Sequence, residues 1–236
     1  MHIYSPPYVE CSFVEQTGAK KMIPVAYCTK DIHHYRDEIE RNELETDYKF
    51  RSMVFADFAS FSNLINKYFE SGRQKKATDH LEVVKMLSHI HFHPKEWEGR
   101  VSPCSSGGYT RALVAFGYKY SVHVLCWKPG QQNVIHDHNG SWSCFKVLTG
   151  SLTETIFSVD PTEGGKPKKI SDKKVESSEV VQHTADVIHQ VSNSDSSTIA
   201  YSLHVYSPPL KKCHGYCPDT GKTSWYGCNH HLTKLQ

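Results

Sequence analysis

At Tyr109 the hydrophobic period of this chain changes, and that switch constrains the fold more than any other feature. Before it, Phe58, Phe61, Leu64, Ile65, Tyr68 and Phe69 recur at helical spacing, with Gly72 as a stop. Leu81, Val84, Leu87 and Ile90 repeat the pattern between a Thr78-Asp79 start and Pro94. Both stripes predict helices whose apolar faces are core. From Tyr109 onward the period is two, in Arg111 to Phe116, Tyr118 to Trp127, Cys144 to Leu148, Leu152 to Val159, Val187 to Val191 and Thr198 to Tyr206. Turn residues part these runs at Gly117, Lys128-Pro129-Gly130, Thr149-Gly150, Gly164-Gly165 and Ser192 to Ser197. Closely spaced strands with so little helix between them predict a mainly β fold, an antiparallel barrel over 106–236. A helical segment, 51–105, is expected to pack on the barrel. Residues 1–50 carry no sustained period and read as an irregular extension.

A length of 236 residues with 38% hydrophobic content suffices for one full core. Net charge is +2, too mild to imply nucleic acid, and no Lys/Arg cluster alternates with aromatic residues. The basic stretch from Lys166 to Lys174 sits among Gly, Pro, Ser and Asp and reads as a solvated loop. No basic n-region with an apolar run opens the chain, and no apolar stretch approaches the length of about 20 residues that a bilayer demands. A secretory leader and a membrane partner are therefore not expected. Eight cysteines are too few at this length for a disulfide framework, so a reducing, intracellular setting, the cytoplasm, is expected. The chain is expected to be a monomer. Cys213, Cys217, Cys228 and His230 lack the spacing of a tight structural zinc site and read as scattered thiols.

Sixteen histidines are unusual, but only spacing gives them meaning. His136 and His138 stand two apart where a strand should begin, and residues i and i+2 of a strand face one side. Arg111 interrupts an apolar run; pointing inward it needs a counter-anion, whereas at a sheet edge it would reach water. Ser202, His204 and Tyr206 alternate and so share a face.

Gly130, five residues, His136, one residue, His138, eleven residues and Gly150 resemble the first metal motif of the cupin barrels (jelly rolls). His189 and Asn193 resemble the end of the second, although Thr184 and Asp186 stand where Pro and Gly are commoner. The slot that often holds a ligand carboxylate is Ser143, which leaves three histidines. Three neutral imidazoles leave an ion its double charge and open positions for an anionic chelating substrate and O2. The residue types alone also allow zinc.

The resemblance becomes specific over Tyr109-Thr110-Arg111, Leu125-Cys126-Trp127, Ile135-His136-Asp137-His138, His189 to Asn193, Ser202 to Pro209 and Cys213-His214. From about Phe58 to the C-terminus the chain resembles eukaryotic cysteine dioxygenase, a thiol dioxygenase of the cupin superfamily. That resemblance implies one Fe(II) per chain on His136, His138 and His189, with L-cysteine and O2 converted to cysteine sulfinate. The setting it implies is cysteine catabolism and taurine biosynthesis. Arg111 is then the carboxylate clamp, assisted by Tyr109, with Cys213 near the pocket mouth. Ser202, His204 and Tyr206 form a relay ending at the tyrosine hydroxyl, and Ser207-Pro208 matches a cis bond. Animal members join that tyrosine to a cysteine by a thioether; here the slot is Ser143, and neighbouring Cys144 should point to the opposite face. Tyr206 is therefore expected to be free unless a bulge swings Cys144 inward. Rival readings are a 3-mercaptopropionate dioxygenase, a family that tends to have Gln where Arg111 stands, a non-catalytic cupin sensor or binding module, and a zinc cupin.

Overall fold

In the computed structural model, residues 54–72, 80–103, 108–228 and 232–234 are described; the extension expected over 1–50 and the helix start expected at Thr78-Asp79 lie outside them, as does His230. The chain divides into two compact units, Met1–Arg100 and Val101–Gln236.

In the first unit, strand β1 (Val54–Ala56) leads into helix α1 (Phe58–Glu70). Asp57 caps the helix by accepting from the Ser60 amide at 2.8 Å. The orphan Phe58 amide donates to Glu96 Oε2 at 3.0 Å. Helix α2 (Leu81–His89) runs directly into β2 (Ile90–Phe92), which pairs in parallel with β1. The predicted α2 stripe is corrected here: Val83, Met86 and Leu87 are its buried residues, while Leu81 is 51% exposed. The helix ends before Ile90, so that residue is buried as part of the strand and not of the helical face. Phe92 packs edge-on against Phe58 and Phe61.

Among its described residues the second unit is strands and their connections, apart from a short 3-10 turn at Pro161–Glu163: β3 (Thr110–Gly117), β4 (Tyr120–Trp127), β5 (Ile135–His136), β6 (Trp142–Thr149), β7 (Ser151–Val159), β8 (Pro167–Glu176), β9 (Val180–His183), β10 (Ile188–Ser192), β11 (Ala200–Ser207), β12 (Lys212–Tyr216), β13 (Thr223–Cys228) and β14 (Leu232–Lys234). They form two antiparallel sheets, ordered β14-β13-β12-β5-β10-β7-β8 and β3-β4-β11-β6-β9. The fold is mainly β. A core of Leu125, Trp127, Phe145, Val147, Leu152, Val175 and Val191 joins the inner faces of both sheets.

The solvated loop expected at Lys166 to Lys174 is instead most of β8, paired along its length with β7. The strand lies at the edge of its sheet, and a run of exposed charge is how an edge discourages further pairing. High polarity there reflects position in the sheet, not absence of structure. The Ser207–Pro208 peptide is cis.

Pairing register aligns side chains in rows, because residues directly opposite in an antiparallel pair share a face. Across the smaller sheet run Arg111–Leu125–Ser202–Val147, then Leu113–His123–His204–Phe145–Val181, then Ser121–Tyr206–Ser143–His183. Across the larger sheet, Gly215, His136, His189 and Ile156 are successive neighbours.

Candidate metal centre

His136, His138 and His189 offer nitrogens that all lie within 4.8 Å of one another, and all three residues are buried. His136 and His189 are direct cross-strand neighbours on β5 and β10. His138 differs from expectation: β5 ends at His136, and the backbone turns at His138, whose carbonyl accepts from the Ser141 amide at 2.9 Å. The turn, not strand parity, brings that imidazole to the others, and its Nε2 sits 3.1 Å from His189 Nε2.

Each imidazole has its Nδ1 engaged. His136 Nδ1 donates to the Val134 carbonyl at 2.9 Å, His189 Nδ1 to Glu154 Oε1 at 2.6 Å, and His138 Nδ1 meets Ser143 Oγ at 3.1 Å. A neutral imidazole that keeps its proton on Nδ1 has its Nε2 lone pair free. Burial brings His136 down to about 3 and depresses His138 and His189 as well, each imidazole opposing its neighbours' charge. Three convergent, uncharged nitrogen donors fit a divalent transition metal. Gly215 makes room beside them: a Cβ there would lie 2.3 Å from a ring carbon of Tyr226.

Arg111 is 4% exposed, yet its Nε and Nη2 have no hydrogen-bond partner among the described residues. Those two nitrogens form one edge of the planar guanidinium, the edge suited to a carboxylate. The guanidinium carbon lies 5.9 Å from the centre of the Tyr206 ring, and its charge reaches His136 and His204. Tyr109 is buried just before β3 and stacks on Trp127 at 4.4 Å. Cys213 is fully buried on β12, its sulfur 3.8 Å from that of Cys228, and Arg111 lies within hydrogen-bonding reach of Cys228.

On β11, Ser202 Oγ contacts His204 Nε2 at 2.8 Å, and His204 Nδ1 contacts the Tyr206 hydroxyl at 3.3 Å. Trp127 orders this chain, because its Nε1–H donates to Ser202 Oγ at 2.9 Å and can do nothing else. Buried Ser202 best satisfies its own proton by donating to His204 Nε2. His204, held neutral by burial, then donates from Nδ1 to the Tyr206 oxygen, leaving the tyrosine proton available to a ligand. Burial raises the Tyr206 hydroxyl above its ordinary range, so it stays protonated at neutral pH. Ser143 lies directly across from Tyr206, whereas Cys144 pairs with Val205 and Gln182 on the opposite face.

Sequence reasoning missed Glu154, His183 and the donor role of Trp127. Glu154 shares strand parity with Leu152 and Ile156 on the face packed against His189, so an acidic residue on an inward face was the available signal. His183 lies across from Ser143 and donates from Nε2 to Glu154 Oε1 at 2.8 Å. The hydrogen bonds from His183 and His189 outweigh the burial that would raise Glu154 and bring it down to about 2.

A profile of the family described as cysteine dioxygenase type I matches residues 50–218. Cysteine dioxygenase type 1 of Rattus norvegicus is 32% identical over 142 residues, 59% of this chain and 70% of that protein. The Homo sapiens protein of the same name matches with the same identity and coverage. That of Danio rerio is 31% identical over 144 residues, covering 59% of this chain and 71% of its own. Among solved structures, a protein from Thermus thermophilus aligns over 47% of this chain and 92% of its own, with 18% identity and a TM-score of 0.38.

Proposed function

The chain belongs to the cysteine dioxygenase type I family, and on that footing we propose that it is an Fe(II)-dependent enzyme converting L-cysteine and O2 to cysteine sulfinate. His136, His138 and His189 hold one ferrous ion per chain. When bound, that ion would acidify the substrate thiol and bring O2 beside it, while the four electrons that reduce O2 come from the substrate sulfur. The single observation that carries the reading is the unpaired edge of buried Arg111. A guanidinium kept from water without a counter-anion costs several kcal/mol, so its burial makes sense when a substrate carboxylate completes it.

The chain's own residues then divide the work. Arg111 grips the carboxylate through Nε and Nη2, with Tyr109 beside it. Tyr206 directs its hydroxyl proton at the substrate, oriented by His204, Ser202 and Trp127, and stabilises negative charge as the sulfur is oxidised. Cys213 and Cys228 bound the Arg111 side. Both oxygen atoms of O2 end on the sulfur, and the thiol proton is released to the medium.

Tyr206 works without a thioether, since the residue across from it is a serine and Cys144 faces away. The described cysteines are free thiols, which fits a cytoplasmic enzyme, and among the described residues no helix is long and apolar enough to cross a membrane. Anaerobic loading with Fe(II), then oxygen uptake and product analysis with L-cysteine, tests the proposal. Cysteine sulfinate is the expected product. A higher kcat/KM for 3-mercaptopropionate would transfer the assignment to that thiol, and no oxygen uptake by iron-loaded protein would leave a binding module.

A further inference from the structure

Glu154 binds no substrate in this scheme, yet it is a buried carboxylate set between two imidazoles. Its Oε1 accepts from His189 Nδ1 at 2.6 Å and from His183 Nε2 at 2.8 Å. A second ion among Glu154, His183 and His189 would have to displace the His189 Nδ1 proton, whereas the hydrogen-bonded arrangement already satisfies every one of these atoms.

The chain of contacts continues beyond His183. Its other nitrogen, Nδ1, lies 3.5 Å from Ser143 Oγ, and Ser143 Oγ lies 3.1 Å from His138 Nδ1. Directions along this chain follow from its end. An ionised carboxylate can only accept, so His183 places its proton on Nε2. With its proton on Nε2, His183 turns its Nδ1 lone pair toward Ser143, which gives that atom its hydroxyl proton. The Ser143 oxygen is left to accept from His138 Nδ1, which keeps His138 Nε2 bare. Phe145 stacks on the rings of both His183 and His204, holding the His183 plane in place.

We propose that one carboxylate, Glu154, sets the tautomer of two of the three metal-binding histidines: His189 directly, and His138 through His183 and Ser143. Ser143 is on this view a positioning residue for the metal centre, and so is His183. The inference rests on the metal-centre reading above, but not on its substrate or its turnover.

The test is titration of the full metal-free chain with Co(II), read by the visible spectrum of the bound ion. Ser143→Ala and His183→Leu should each weaken Co(II) binding about tenfold, the lower end of the effect of removing partners of metal-ligating histidines. Because both act through one chain, the double variant should lose about tenfold again in total, where independent contributions would multiply to about a hundredfold. His183→Gln, which can still donate to Glu154, should recover part of the loss. Ser143→Ala removes a single oxygen and so serves should His183→Leu not fold. Wild-type affinity and spectrum in a folded Ser143→Ala or His183→Leu variant, or a multiplicative double variant, overturns the proposal. Normal Co(II) behaviour in all variants combined with cysteine oxidation by the wild type would sink this inference alone. Loss of Co(II) binding as described, without sulfinate from the iron-loaded wild type, would sink the enzymatic reading alone.

Discussion

Replacing Arg111 with Met should damage catalysis and stabilise the fold together, and the pairing of those effects is the informative part. The guanidinium is 4% exposed and two of its nitrogens lack partners among the described residues. If they bind the substrate carboxylate, two charge-assisted hydrogen bonds are lost, each about 1.5–3 kcal/mol. Roughly 3–5 kcal/mol corresponds to a fall in kcat/KM for L-cysteine of about two to four orders of magnitude. Without substrate the balance reverses: an uncompensated buried charge is replaced by an apolar chain of similar length. The metal-free variant should then gain stability on the order of 1 kcal/mol or more in urea. Cysteamine, which has no carboxylate, should lose far less than cysteine. Oxygen uptake with the two thiols and a urea titration decide the matter. A variant that oxidises cysteine within threefold of wild type, or that is less stable than wild type, would refute the reasoning about the unpaired edge.

Acid should destabilise the metal-free protein before its carboxylates titrate. Burial depresses His123, His136, His138, His189 and His204, so below about pH 6.5 the unfolded chain takes up protons that the folded chain refuses, costing about 1.4 kcal/mol per pH unit for each such group. The Tm measured in chelator should fall steeply from pH 7 to 5.5, and a flat profile would contradict the buried, neutral state of these rings. Trp127→Phe removes the donor that orders Ser202 and should lower kcat about tenfold with little change in KM; an equal rise in KM would assign Trp127 to packing alone. Ser143→Cys puts a thiol across from Tyr206, and peptide mass mapping after turnover should find a Cys–Tyr cross-link there, while the wild type yields none to Cys144. Gly215→Ala should weaken Fe(II) binding, because the new methyl displaces the Tyr226 ring beside His136; unchanged affinity would show that the ring moves freely.

Strand parity is written in the local sequence, and it sufficed for much of this site. An alternation of Ser202, His204 and Tyr206 put them on one face, and the apolar neighbours of Arg111 marked it as a charge in the wrong surroundings. His136 and His189 were legible from motif spacing, as was the serine at position 143. Parity cannot say which strand lies alongside which, or at what register, because those choices depend on contacts between residues far apart in the chain. The partnerships that sequence reasoning missed are of that kind: Glu154 with His189 is 35 residues apart, Ser143 with His183 is 40, and Trp127 with Ser202 is 75. Position within the sheet likewise decided that the lysines of Pro167–Glu176 are an edge strand, since charge on both faces resembles a loop until a neighbour supplies the hydrogen bonds. Residue types thus pointed to a metal and an anion as what this chain is built to hold. Only the assembled sheets decided which atoms stay protonated, which remain unpaired, and so what the site is poised to bind.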